Sequence, residues 1–82
     1  RNLLLTYHGR LEADRGDWAA AERTYRAAAD LSRGLTGKHA GDHAEDLRDL
    51  AGALADQGKL PEARAELGRA VRAARTGKPP LQ

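Results

Sequence analysis

Gln57-Gly58-Lys59-Leu60-Pro61-Glu62-Ala63 reads as a tight turn between two helices. Ahead of it, Leu47, Leu50, Ala51 and Leu54 fall at i, i+3, i+4 and i+7, one apolar stripe of an α-helix. Behind it, Leu60, Ala63, Leu67, Ala70, Val71 and Ala74 fall on the stripe of a second helix. Gly58 takes positive φ without steric penalty and suits the residue just past a helix end. Pro61 lacks a backbone donor, which is harmless in the first turn of the next helix. So short a connection sets the two helices antiparallel and in contact.

The same unit stands earlier in the chain. Arg15-Gly16-Asp17-Trp18-Ala19-Ala20-Ala21 matches the quoted stretch without a gap, at an offset of 42 from Gly16 to Gly58. That offset also aligns Leu5 with Leu47, Gly9 with Ala51, Trp18 with Leu60, Ala21 with Ala63, Tyr25 with Leu67 and Ala28 with Ala70. Agreement at so many positions of similar size marks an internal repeat. The repeated element is a helical hairpin, which cannot bury its apolar face alone. The sequence therefore predicts an all-α fold of four helices: two stacked antiparallel hairpins, repeat one over residues 2–35 and repeat two over 43–75. Together they make a domain over 1–76, with 77–82 as a linker or disordered tail.

A small residue (Gly9, Ala51), a glycine seven later (Gly16, Gly58) and an aromatic residue or Leu two further on (Trp18, Leu60) resemble the tetratricopeptide repeat. Ala21 and Ala63, Tyr25 and Leu67, and Ala28 and Ala70 continue the resemblance. Small residues mark where two helix backbones come close, and large ones fill the holes beside them. The offset is longer than the family's usual ~34 residues. It is similar to the long variant found in kinesin-light-chain-type arrays and in bacterial signalling proteins. Gly37-Lys38-His39 loosely resembles the segment that precedes the next repeat there. The resemblance covers residues 2–75. It implies an α-α superhelix that binds proteins, not a particular reaction.

Composition narrows the function. At 82 residues the chain makes one small domain with a marginal core. With no cysteine it has no disulfide and no thiol chemistry. No apolar run nears the length of a membrane span, and Leu3-Leu4-Leu5 is too short for a signal-peptide core. The absence of methionine suggests a piece of a longer protein. Net charge is +2, with both signs mixed along every predicted helix, unlike the one-signed face of a nucleic-acid binder. Val71 is the only valine, isoleucine is absent, and no alternating run suggests a strand. The alanine and arginine bias points to a GC-rich bacterial genome, and the lack of cysteine is compatible with a cytoplasmic setting.

The first helix is expected over 2–15, with Leu4, Leu5, Tyr7 and Leu11 inward. His8 and Glu12 break its pattern where Leu50 and Leu54 stand in the second repeat. Four residues apart, they share a face and can pair. The plainer reading is an edge helix facing solvent or a preceding segment. Asp17 caps the second helix, expected from Trp18 to Arg33 or Leu35. Its inner stripe is Trp18, Ala21, Tyr25, Ala28 and either Leu31 or Ser32. Trp18 and Tyr25 are read as packing residues ahead of any ligand-stacking role. Gly34 to Gly41 is a loop. His39 and His43 lie four apart, but Gly41 and Asp42 should interrupt a helix between them, and no third ligand sits at metal-site spacing. Asp42 and Glu45 read as a capping box opening a third helix over 43–57. The fourth helix is expected over 61–75, with Arg72, Arg75 and Lys78 at the end that favours cations.

Serine occurs once, at Ser32, and no nucleophile–base set or phosphate loop is visible, so no catalytic, metal or cofactor residue is assigned. What remains is binding. The resemblance implies a concave groove lined by the first helix of each hairpin. Candidate lining residues are Thr6, Arg10, Ala13 and Asp14, then Arg48, Asp49, Gly52, Ala55 and Asp56. Thr6, Arg10, Asp14, Arg48, Asp49 and Asp56 carry the polar chemistry, and the arginines can grip a carboxylate bidentately. The lysine–asparagine clamp of chaperone-binding relatives is absent. The expected partner is another protein or peptide. The alternative is a second copy of the chain, making it a self-associating segment of a bacterial multidomain regulator.

Overall fold

In the computed structural model, which describes residues 2–34 and 40–76, four helices run in order. They are α1 (Leu3–Asp14), α2 (Trp18–Ser32), α3 (Ala40–Asp56) and α4 (Leu60–Thr76). Each packs on the next, α1 on α2, α2 on α3 and α3 on α4. There is no strand among the described residues. The expectations for Lys38, His39 and the tail from Gly77 concern residues outside those described.

Two glycines build both hairpins in the same way. Gly16 has φ 78° and Gly58 φ 80°. Gly16 N–H donates to the Ala13 carbonyl and Asp17 N–H to the Glu12 carbonyl, both at 2.9 Å. Gly58 N–H donates to Ala55 and Lys59 N–H to Leu54, again at 2.9 Å. This pairing closes the last turn of a helix on a left-handed residue, satisfying carbonyls that would otherwise lack partners. The next helix starts one or two residues later. Asp17 caps α2 as expected, its Oδ1 accepting from Ala20 N at 3.3 Å. Asn2 does the same for α1, accepting from Leu5 N at 3.1 Å.

The core is made of small residues interleaved with a few large ones. Ala21, Tyr25, Leu50, Ala51, Ala53, Leu54 and Ala63 form one cluster. Ala29, Leu47 and Ala70 form a second, with Ala73 against it. Gly9 is the close-approach point the repeat predicts: a Cβ there would stand 2.7 Å from Tyr25 Cε1. Ser32, not Leu31, occupies the last inner position of α2.

Three expectations are corrected. Helix α3 begins at Ala40, ahead of the proposed capping box, so Asp42 lies within its first turn. Gly41 and Asp42 do not interrupt it; alanine-rich sequence carries the helix through a single glycine. Asp42 still suits that end, as an anion near the helix N-terminus. On α1, Leu4 and Tyr7 are exposed, while Leu5 and Leu11 are half-buried. On α4, Ala63 and Ala70 are buried, but Leu60, Leu67 and Val71 are exposed. The cause is the same at both places. The first and last helices have a described neighbour on one side only, whereas α2 and α3 are each packed between two.

Candidate functional site

Helices α1 and α3 both pack on α2, and a cleft is lined by all three. Its first part, about 580 Å³, is lined by Leu3, Thr6, Tyr7 and Arg10 of α1, Asp49 of α3, and Tyr25 of α2. A narrower continuation of about 210 Å³ is lined by Ala13, Trp18, Tyr25, Arg48, Asp49, Gly52, Ala53 and Asp56. Tyr25 and Asp49 border both parts, so the two form one path along the molecule. Helical spacing explains the lining: Thr6, Arg10 and Ala13 fall on one face of α1, and Asp49, Gly52 and Asp56 on one face of α3. At Gly52 an added Cβ would meet nothing within 4 Å, so a small side chain fits there without a clash.

The proposed lining residues divide accordingly. Thr6, Arg10, Arg48, Asp49 and Asp56 are brought to the cleft, with Ala13 and Gly52 between them. Asp14 and Ala55 are exposed and line neither part. The Thr6 hydroxyl donates to the Asn2 carbonyl at 2.7 Å, so its proton is spent within its own helix. Tyr7, expected inward on α1, and Tyr25, expected to pack ahead of any ligand-stacking role, both line the cleft. For Tyr25 the signal is Gly9, whose missing side chain leaves room for the ring.

A polar joint that the sequence reading missed fixes the cleft's geometry. Glu22 Oε1 accepts from Gln57 Nε2 at 2.8 Å and from Lys59 Nζ at 3.1 Å. Its Oε2 meets Arg26 Nη2 at 3.1 Å. Gln57, Lys59 and Arg26 together hold the Glu22 carboxyl down at about 2, from an ordinary 4.5. Gln57 also donates to the Ala53 carbonyl at 3.1 Å. At the far end of α2, Ser32 Oγ lies 3.1 Å from His43 Nδ1 and 3.2 Å from the Ala29 carbonyl. A hydroxyl donating to that carbonyl accepts from an Nδ1–H. It is buried and committed, a tie between helices and not a nucleophile facing substrate. Glu22 carries a sequence signal: it stands four after Trp18 and three before Tyr25, next to Ala21 of the expected inner stripe.

Other titratable groups gather without forming a reactive set. His8 Nε2 and Glu12 Oε2 are 3.6 Å apart on α1, and Glu12 also accepts from the Thr24 hydroxyl. His8 is exposed, as the edge-helix reading expects. A pocket of about 450 Å³ between α2 and α4 holds Arg26, Arg33, Arg69 and Arg72 beside Asp30 and Glu66. Arg33 pairs with Asp30 at 3.1 Å and Arg69 with Glu66 at 3.0 Å, so its charge is largely answered from within. Among the described residues, no three His, Cys, Asp or Glu side chains gather to hold a metal ion. No helix among them is long and apolar enough to cross a membrane.

A family model for the tetratricopeptide repeat matches residues 1–76. The chain belongs to the tetratricopeptide repeat family. No curated protein and no solved structure matches it. Tetratricopeptide repeats generally serve as non-catalytic scaffolds for contacts between proteins. The small-residue approach at Gly9, the glycine turns and the alternating helices are the features of this chain that the family pattern describes.

Proposed function

We propose that this tetratricopeptide repeat domain is a non-catalytic module that binds a peptide segment or partner domain along the cleft between α1 and α3. The observation that carries the reading is the continuous path floored by Tyr25 and rimmed by Arg10, Arg48, Asp49 and Asp56. Its apolar floor offers burial, and its rim offers both signs of charge, suited to a ligand that carries both. A two-signed rim favours specificity over non-specific attraction. The alanine- and arginine-rich composition supports a bacterial source, and the lack of cysteine is compatible with a cytoplasmic setting.

The test is selection of peptides on the immobilised chain, followed by calorimetry of the selected sequences. The double change Arg10→Glu and Arg48→Glu should weaken them at least about tenfold, the equivalent of ~1.4 kcal/mol. Both side chains are exposed and far from the core, so helicity should persist. Selected peptides that bind the double variant undiminished would defeat the proposal.

A further inference from the structure

Two surfaces at opposite ends of the molecule are the separated halves of a joint the chain already makes. In the α2–α3 joint, α2 contributes Trp18, Glu22, Tyr25 and Ala29, and α3 contributes Leu47, Leu50 and Leu54. Shifted by the repeat offset, the α2 side becomes Leu60, Arg64, Leu67 and Val71 on α4. The exposures differ sharply: Tyr25 is 9% exposed and Leu67 48%, while Ala29 is 3% and Val71 52%. Shifted the other way, the α3 side falls on α1, where Asn2, Leu4, Leu5, Tyr7, His8 and Leu11 line one open, mainly apolar surface. There Leu4 is 82% exposed, whereas its counterpart Asp46 is 0%.

We propose that a second copy of this chain docks head to tail, its α1 face covering the α4 face of the first as α3 covers α2. The charges argue for this occupant over an arbitrary helix. Within the chain, Glu22 on α2 meets Lys59 at the following turn, 3.1 Å away. The counterparts are Arg64 on α4 and Asp17 of the second copy. Both signs are reversed, so the pair stays complementary. Asp17 spends only Oδ1 on its cap, leaving Oδ2 for a guanidinium. Arg15 of the second copy stands where Gln57 donates to the Trp18 carbonyl, and it can donate likewise to the carbonyl of Leu60. His8 and Glu12, which replace Leu50 and Leu54, enter the joint already paired with each other and with Thr24. Their polarity makes this contact weaker than the internal one. A contact between two different faces leaves one of each free and so continues by adding copies. It shares Tyr7 with the cleft but uses neither rim arginine, so Arg10→Glu with Arg48→Glu tests peptide binding separately.

The experiment is sedimentation equilibrium on the full chain and on two variants, Leu4→Glu and Leu67→Glu, each at an exposed position. Circular dichroism checks that both keep their helices. The wild-type mass should climb above 8.8 kDa with concentration, past two copies. Each variant alone should stay at the monomer mass. An equimolar mixture should double it and stop, because each variant keeps the one face the other needs. Arg64→Asp should reduce wild-type association at least about fivefold and lower its dependence on salt. A wild-type chain that remains monomeric overturns the proposal, as does a mixture that stays at the monomer mass. Loss of association in Leu67→Glu but not in Leu4→Glu overturns it as well, since it would mean α4 pairing with α4.

Discussion

Helices α2 and α4 hold the same place in their hairpins and carry matching residues, yet solvent reaches them differently. Tyr25 is enclosed between Gly9 on one side and α3 on the other. Its counterpart Leu67 has α3 behind it and water in front. The small residues behave alike in both helices, with Ala21, Ala28, Ala63 and Ala70 all buried. The difference teaches that the pattern encodes two contacts per helix. The alanines at the repeat positions are enclosed in both hairpins. The large residue beside them is enclosed in α2, where α3 arrives, and exposed in α4.

The sharpest break of that comparison is a pair of truncations. Tyr25→Ala should cost about 3–5 kcal/mol, the range for removing a buried aromatic side chain. Leu67→Ala should cost less than about 1 kcal/mol, as at a surface position. Urea unfolding followed by circular dichroism measures both, and equal losses would mean the two hairpins are not distinguished as described.

Next comes Gly9. An added methyl stands 2.7 Å from the Tyr25 ring, so Gly9→Ala should overpack the hairpin by about 1–3 kcal/mol. A helix-propensity gain of up to about 1 kcal/mol offsets part of this. The second hairpin suggests the remedy, because it carries Ala51 and Leu67 at the equivalent positions. Gly9→Ala combined with Tyr25→Leu should recover much of the loss, so the double variant would be more stable than the sum of the singles predicts. Simple additivity would show that the ring and the missing methyl do not meet.

Smaller again is the cap. Asp17→Ala should cost about 0.5–2 kcal/mol through the lost bond to Ala20 N. Lys59, at the same place before α4, offers no acceptor, and Lys59→Ala should cost only its contact with Glu22. Thermal melts of the two variants compare them directly.

The subtlest effect depends on pH. Glu22 is held at about 2 in the folded chain against an ordinary 4.5. Between those values the unfolded chain binds the extra proton, so stability rises with pH. The contribution is complete above about 4.5 and disappears as the pH falls through about 2. Glu22→Gln should flatten that part of the stability curve and leave its shape near neutrality unchanged. A variant with the wild-type slope would show that Gln57 and Lys59 do not hold the carboxylate.

Much of this was legible in the residues because backbone requirements are local. Gly16 and Gly58 announce left-handed turns, Asp17 announces a cap, and the offset between them announces the repeat. What the pattern could not say is which helices have neighbours on both sides. Leu60, Leu67 and Val71 have the spacing of a core stripe whether or not anything covers them. The start of α3 was misplaced because Asp42 and Glu45 form a plausible cap wherever they stand, and the choice between cap and first turn rests on the backbone before them. The cleft followed from the resemblance, but its Tyr25 floor and the Glu22 joint beneath it depend on long-range contacts.

The ties at the two ends of α2 have a mechanical meaning. Glu22 fastens one end to the residues around Gly58, and Ser32 fastens the other to His43, with close-packed alanines and leucines between. A rod clamped at both ends can neither slide nor swivel against its neighbour. If the proposed cleft takes a ligand, these ties would spare it part of the cost of ordering the two hairpins against each other.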